Sequence, residues 1–252
     1  HRRRSQMKDI VLDIVRHTSG LGIIDSLKVT GTDTETQLAA IDPDKTVILN
    51  AKLHKPEADF VGEFGMGNLG FLNGVCNLYA KDGTTVEVTK SQRNGVELPE
   101  TLVFKDADGN SDKYRLMSKE VVDTQIQTVK FKGANWDVTF EPKKAKVQDL
   151  AQAAGIYSSI EPTFTVRTEN GNLVFELGSA NGGSHFGKRT FAENVTGTIK
   201  GDLCFPLTQF LNILKLGMGG ICAVNFSNQG ACMISVDSGQ GLYNYILPAM
   251  TR

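Results

Sequence analysis

The sequence predicts an α+β chain made of two similar halves, each laying two amphipathic helices on antiparallel strands. Three observations carry that prediction. An apolar stripe at helical spacing, Leu72, Val75, Cys76 and Tyr79, reappears at a shift of 135 residues as Leu207, Phe210, Leu211 and Leu214. The same shift carries Leu12, Val15 and a terminating Gly20 onto Val147, Leu150 and a terminating Gly155, so a second pair of helices obeys one offset. Between the helices lie short strand-like runs punctuated by turn residues, which is how an antiparallel sheet is written in sequence.

The elements follow in order. Met7, Ile10, Val11, Ile14 and Val15 recur at intervals of three and four, an amphipathic helix ending near Ser19 and Gly20. Strands are expected at Leu27 to Thr30, Thr36 to Ile41 and Val47 to Leu53, with Asp42-Pro43-Asp44 as a turn. Phe60 to Phe64 leads into a second helix over Asn68 to Tyr79; Lys81-Asp82-Gly83 turns the chain into strands at Thr84 to Thr89 and Thr101 to Lys105. Asp106 to Asp112 reads as a hairpin tip feeding Lys113 to Met117. Ser118 to Pro142 repeats nothing and reads as a connector plus the first strand of the second half, with alternating runs at Thr128 to Lys132 and Trp136 to Phe140.

A third helix is expected over Lys143 to Ala154, then strands Thr163 to Thr168 and Asn172 to Leu177 joined by the hairpin signal Glu169-Asn170-Gly171. Gly178 to Gly187 is a Gly/Ser-rich loop and Thr196 to Cys204 a strand. Pro206 opens a fourth helix at its first position, where a missing N–H costs nothing, and Gly217 to Gly220 ends it. Strands Ile221 to Ser227, Ala231 to Val236 and Leu242 to Leu247 close the chain. The division expected is 1–118 and 119–252. In each half the apolar faces of both helices must cover a sheet, which leaves their polar faces side by side on one surface.

Composition excludes several function classes. The 252 residues are 40% hydrophobic and 22% charged, ordinary for globular domains and long enough for two of them. Twenty-seven basic against 28 acidic residues leave a net charge of -1, so any basic surface is local. Cys76, Cys204, Cys222 and Cys232 show no metal or redox spacing and sit among apolar residues, as buried reduced thiols do. No apolar run spans a membrane, and Asp9 and Asp13 interrupt the stretch after Arg2-Arg3-Arg4 that a signal peptide would need.

Several stretches resemble the DNA sliding clamps, the ring-shaped processivity factors of replicative polymerases. Asp13 to Gly22, D-I-V-R-H-T-S-G-L-G, is similar to the first-helix exit of the T-even-type phage clamps, and Phe60 to Leu78 to their strand that runs straight into a second helix. Tyr243-Asn244-Tyr245-Ile246-Leu247-Pro248-Ala249 resembles the Y-x-Y-L-A-P close of archaeal and eukaryotic clamps. The resemblance runs from Met7 to Met250; the chain lacks the central-loop sequence of the nuclear clamps, the proliferating-cell nuclear antigens, so the phage branch is the nearer match. It implies a DNA-clamp fold of two domains, a homotrimeric ring around duplex DNA, and partners in a replicative polymerase and an ATP-driven clamp loader. It implies no catalysis, no cofactor and no metal, and for a phage protein a place in the host-cell cytoplasm. Such a ring works by topology, holding DNA through weak phosphate contacts that ignore sequence.

On this reading the DNA-facing candidates are Lys8 and Arg16 on the first helix, Lys81 after the second, Lys143, Lys144 and Lys146 at the third and Lys215 on the fourth. Asp9, Asp13 and Asp149 share those faces, so an ordinary solvated surface is the competing reading. The resemblance also implies a pocket for partner tails beside the connector and the C-terminal strand, mapped onto Ile41, Val121, Val122, Leu247, Pro248, Ala249 and Met250, with core packing as the alternative.

Other patterns lead elsewhere. Gly65-Met66-Gly67-Asn68-Leu69-Gly70 matches G-x-G-x-x-G, but a dinucleotide site needs a buried parallel strand before it and a β-α-β unit after it. Asp106 to Asp112 has the look of a calcium loop, yet Ser111 and Met117 stand where that loop needs glycine and glutamate. His17, His54 and His185 are scattered, without metal spacing. The alternative function is a β-rich phage structural or carbohydrate-binding protein presenting the Gly178 to Gly187 loop; four helices on one surface speak against it.

Overall fold

The computed structural model describes residues 2–179, 184–201 and 203–251, and the chain forms two compact units. The first comprises His1–Lys45, Leu49–Lys130 and Gly239–Tyr243; the second comprises Thr46–Ile48, Phe131–Ser238 and Asn244–Arg252. Residues 119–130, expected with the second half, pack with the first.

The first unit opens with helix α1 (Arg2–Arg16), which buries Met7, Val11, Ile14 and Val15, one face at helical spacing. The chain leaves it through a single 3₁₀ turn at Ser19–Leu21, and the left-handed glycine there is Gly22, φ 78°, rather than Gly20. Strands β1 (Leu27–Gly31), β2 (Thr36–Ile41), β3 (Ile48–Leu53) and β4 (Gly62–Met66) follow, and their spatial order is β4-β1-β2-β3. β1 is antiparallel to both neighbours, Gly31 facing Thr36 on β2 and Gly62 on β4. Gly31 has a reason to be glycine: a Cβ there would lie 1.8 Å from the Phe60 carbonyl oxygen.

β4 runs into α2 (Leu69–Leu78) through Asn68, held left-handed at φ 49°. α2 packs on α1 and buries Leu69, Leu72, Val75 and Cys76. A three-stranded sheet, β5-β6-β7 (Thr85–Arg93, Val96–Lys105, Ser111–Arg115), completes this unit. Its first hairpin is longer than the sequence reading gave. Asn94 and Gly95 both have positive φ, 52° and 77°, which fits the two-residue turn that N-G favours, and Arg93 faces Val96 across it. The polar stretch from Lys90 to Leu98 hid this pair of strands. A bulge between Thr89 and Lys90 lies by Pro99, which has no N–H to give the ladder.

A short helix, α3 (Lys119–Gln125), was not expected. Ser118 caps it, its side chain accepting from the Val121 N–H, and Val122 is buried against Gly65 of β4. Beyond it, Thr128 to Lys132 is not a strand; Asn50 Nδ2 donates to the Val129 carbonyl at 2.9 Å.

The second unit repeats the plan. β8 (Val138–Phe140) precedes α4 (Lys144–Tyr157), which continues through Gly155 because that glycine is exposed and nothing ends the helix there. β9 (Thr163–Glu169) and β10 (Asn172–Gly178) join through Asn170 and Gly171, φ 53° and 79°, as the N-G signal predicts. With β11 (Phe186–Ala192) and β12 (Leu203–Pro206) they form a sheet of order β11-β10-β9-β12. Of the strand expected at Thr196 to Cys204, residues 196–201 are not strand, residue 202 lies outside the described residues, and Leu203 and Cys204 belong to β12; Pro206 is the last residue of β12 rather than the first of α5 (Leu207–Gly217). β13 (Ile221–Ser227), β14 (Ala231–Asp237) and β15 (Gly241–Pro248) close the chain, β15, β14, β13 and β8 being neighbours in that order.

The correspondence is element by element: α1 with α4, β1 and β2 with β9 and β10, β4 with β12, α2 with α5. The cores differ. Phe164, Phe175, Phe191, Phe205, Phe210 and Phe226 form one aromatic cluster in the second unit, Phe175 stacked on Phe191 at 4.6 Å. The first unit is mostly aliphatic, and it buries a polar knot in which the Tyr243 hydroxyl donates to Asp13 at 2.8 Å while its ring stacks on His17 at 4.3 Å. All four cysteines are free and buried; burial pushes the Cys76 and Cys222 thiols up to about 11 and Cys232 well above its ordinary value.

Candidate nucleic-acid interface and partner cleft

In each unit two helices pack side by side, so each unit presents a helical surface whose outer residues can be read off. α1 exposes Asp9 and Arg16, and α5 exposes Thr208 and Lys215. α4 exposes Lys144, Gln148, Asp149 and Gln152. α2 exposes Gly70, Phe71, Asn73, Gly74, Asn77 and Leu78, and carries no charge anywhere along its length.

The seven basic candidates separate into two groups. Lys8 donates to the Lys81 carbonyl at 2.7 Å and to the Thr84 hydroxyl, so its ammonium is tied to the turn after α2. Lys81 pairs with Asp106 at 3.3 Å, and Lys146 with Glu193 at 3.2 Å. Arg16, Lys143, Lys144 and Lys215 are exposed and make no ion pair among the described residues. Arg16 and Lys215 occupy the last turns of α1 and α5, where a cation complements the helix dipole. Lys143 and Lys144 stand at the opposite end of α4, whose first turn has no acidic residue, and there the dipole opposes them.

The first unit also contains a cleft of about 350 Å³, bounded by the exit of β2 and the end of α3. Ile41, Pro43 and Ile126 supply its apolar surface, and Asp25, Asp42 and Lys45 its charges. The Asp42-Pro43-Asp44 turn shapes one wall: Lys45 N–H donates to the Asp42 carbonyl at 3.0 Å, and Lys45 itself is left-handed at φ 58°. The other wall is held by α3, where Lys119 reaches Asp123 at 2.9 Å and Glu63 at 3.5 Å, and Arg93 reaches Glu120 at 3.5 Å. The Asp123 and Glu63 carboxylates raise Lys119 above its ordinary value, and hydrogen bonds from its own N–H and from Ser118 lower Glu120. Each is an exposed pair of small individual worth.

Of the residues expected to bind partner tails, Ile41 lines this cleft. Val122 is core, Val121 is half-buried outside the lining, and Leu247, Pro248, Ala249 and Met250 belong to the second unit. There Leu247 is fully buried, Ala249 N–H donates to the Gly230 carbonyl and Met250 N–H to the Cys204 carbonyl. Ile126, Pro43 and Asp25 also line the cleft and were not among the residues expected from sequence. The signal for Ile126 was present, an isolated apolar residue just past the capped segment Ser118 to Gln125, but it is visible only once that segment is recognised as a helix.

The decoys resolve on geometry. Gly65 and Gly67 fit against Val122 and Met117, and β4 is antiparallel to its partner, so the glycine-rich turn has no dinucleotide context. Asp106 spends its carboxylate on the Asp108 and Asn110 N–H groups and the Asn110 side chain, closing a hairpin tip. Among the described residues no group of three metal-ligating side chains converges, and no helix is long and apolar enough to cross a membrane. Part of the Gly178 to Gly187 loop, residues 180–183, lies outside the described residues.

No protein-family model matches the chain, and no curated protein matches it significantly in sequence. Solved structures do. A. fulgidus PCNA bound to the C-terminal region of FEN-1 is similar over 97% of this chain and 96% of that one, at 12% identity and TM-score 0.70. PCNA from Thermococcus kodakaraensis is similar over 98% and 97%, at 11% identity and TM-score 0.68. The proliferating cellular nuclear antigen of Entamoeba histolytica is similar over 95% and 94%, at 10% identity and TM-score 0.64. With helix pairs, antiparallel sheets and a repeated plan matched along nearly the full length of both chains, this α+β protein has the two-domain fold of the PCNA sliding clamps.

Proposed function

We propose that the protein is a DNA sliding clamp, a non-catalytic ring that encircles duplex DNA and tethers a replicative polymerase. The observation that carries this reading is the end-to-end match of its fold to PCNA structures at TM-scores of 0.64 to 0.70. In the proposed ring three copies contribute twelve helices to the lining, and the free cations Arg16, Lys143, Lys144 and Lys215 face phosphate. Lys143 and Lys144 support this, since they sit where their own helix disfavours them. The uncharged α2 supports sliding rather than tight binding, because each cation omitted lowers the number of counterions released on contact.

Ring closure has natural edges. β7 and β11 are each the terminal strand of a sheet, and an unpaired edge is satisfied when another copy's strand pairs with it. Exposed apolar side chains accompany both: Leu78 (64% exposed) in the unit of β7, and Ile156 (66%) and Phe186 (52%) in the unit of β11. The cleft at Ile41, Pro43 and Ile126 is the proposed dock for tails of the polymerase and of an ATP-driven loader. The T-even-like stretches Asp13 to Gly22 and Phe60 to Leu78 support phage replication in a host cytoplasm as the setting.

The first test is solution mass. A trimer is three times 27.4 kDa, about 82 kDa, and Ile156→Asp should reduce it to monomer. Loader- and ATP-dependent stimulation of a polymerase should accompany the trimer and vanish with it. A wild-type protein that stays monomeric at every concentration refutes the ring.

A further inference from the structure

Asn94 and Gly95 form the two-residue turn between β5 and β6, at φ 52° and 77°. Every residue from Gln92 to Glu97 is exposed. Among the described residues the Asn94 amide makes no hydrogen bond and the Gly95 N–H donates to nothing. A carboxamide followed by an unbonded glycine N–H sets an electrophile beside a nucleophile, and glycine has no side chain to obstruct the ring that joins them. Closed turn geometry slows that attack, and opening the turn restores it. Opening costs little here, because the tip lies beyond the bulge between Thr89 and Lys90 and buries no apolar side chain from Gln92 to Glu97.

The two other Asn-Gly pairs among the described residues are held. Asn73-Gly74 lies inside α2, where the helical ladder engages the Gly74 N–H, and freeing it means opening a helix that buries Leu72, Val75 and Cys76. Asn170-Gly171 has the same positive φ values, but the Gly171 carbonyl accepts the Val195 N–H at 2.9 Å, which ties that turn to the loop beside it. Asn181-Gly182 lies outside the described residues.

We propose that Asn94 is a site of spontaneous deamidation and isoaspartate formation, directed by the fold to the tip of this hairpin. The Gly95 nitrogen bonds to the side-chain carbonyl carbon of Asn94, its proton leaves with the amide nitrogen as ammonia, and a succinimide remains. Water then adds to one of the two ring carbonyls and the C–N bond there breaks. Opening at the main-chain carbonyl leaves isoaspartate; opening at the side-chain carbonyl leaves aspartate. Either product places a new carboxylate beside Arg93, which pairs with Glu120 of α3 at 3.5 Å. Isoaspartate also routes the main chain through an extra carbon, and a two-residue turn that pairs Arg93 with Val96 cannot absorb it without losing that pair. The modified tip comes away from α3 while the buried part of the sheet stays closed.

The proposal needs neither the ring nor DNA. The full chain is aged in mildly alkaline buffer, where the attacking nitrogen more readily sheds its proton, and digested at intervals for mass spectrometry with chromatography that separates aspartate from isoaspartate. Asn94 should convert at least roughly tenfold faster than Asn73, the factor that about 1.4 kcal/mol of extra helix opening supplies, and faster than Asn170. Asn94→Gly keeps a Gly-Gly turn in the hairpin and removes the electrophile. Amide exchange from Lys90 to Leu98 should quicken in aged wild type and hold its starting rate in aged Asn94→Gly. Conversion of Asn94 no faster than that of Asn73 or Asn170 overturns the assignment of the site. Complete conversion with unchanged exchange at the tip overturns the loosening.

Discussion

Replacing Phe210 by alanine should unfold the second unit far more readily than any change on the surface of its helices. Phe210 is fully buried on α5, and its ring centre lies 4.9 Å from Phe164, 5.6 Å from Phe175, 6.0 Å from Phe191 and 6.1 Å from Phe226. Removing such a ring costs about 3–5 kcal/mol through lost transfer energy and the cavity left behind. The two edge-on contacts, to Phe175 at 81° and to Phe191 at 67°, place the expected loss in the upper part of that range, about 4–5 kcal/mol. With a urea dependence of roughly 1.5–2 kcal/mol per molar for a unit of this size, the midpoint should fall by roughly 2–3 M. The chain's single tryptophan, Trp136, lies in the second unit beside Phe131, so its fluorescence reports this transition apart from the rest. Phe71→Ala is the control: 55% exposed on α2, it should cost below about 1 kcal/mol. If Phe210→Ala moves the tryptophan midpoint no further than Phe71→Ala moves the whole-chain transition, the aromatic cluster is not what holds the second unit together.

Three further outcomes are expected. Tyr243→Phe keeps the stacking on His17 but removes the hydroxyl that donates to Asp13 at 2.8 Å, and calorimetry should show a loss of about 1–3 kcal/mol. Gly31→Ala drives a methyl to within 1.8 Å of the Phe60 carbonyl oxygen and should cost at least about 2 kcal/mol, while Gly70→Ala, in open space on α2, should be neutral or gain up to about 1 kcal/mol. Asp106 is lowered from 3.8 to about 2, first by the Asn110 side chain and then, against a smaller opposing effect of burial, by the Asn110 N–H, Lys81 and the Asp108 N–H. Its folded value lies below its unfolded one, so its contribution is complete above about pH 4 and disappears as pH falls toward 2. The melting-temperature gap between wild type and Asp106→Asn should therefore close across that window; a gap that stays constant from pH 7 to pH 2 contradicts the assignment.

Much of the architecture was legible before any coordinates, because it is written in short-range physics. A helix that must bury one face repeats its apolar residues every three or four positions, as Met7, Val11, Ile14 and Val15 do, and an N-G turn needs two positive φ values, as Asn170 and Gly171 have. The duplication was legible for the same reason, since each half solves one packing problem with the same periodicity. What stayed hidden lacked a local apolar signature. The β5–β6 hairpin beyond Lys90 is mostly exposed and reads as polar loop; α3 is too short to show a period, and only the Ser118 cap marks it.

For the site, the sequence determined which residues carry charge and which helices carry them, and the resemblance pointed to Ile41 as one candidate for a partner surface. Only the tertiary structure decided which cations are free. Lys8 and Lys81 look like Arg16 and Lys215 in sequence, yet the fold brings Thr84 and Asp106 to the first two and no partner among the described residues to the others. It also decided that Asp25, Ile41 and Ile126 line one cleft while Val122 is core. Periodicity is a property of neighbours along the chain, whereas an ion pair or a cleft is made by residues scores of positions apart, and their meeting is set by the packing of the whole.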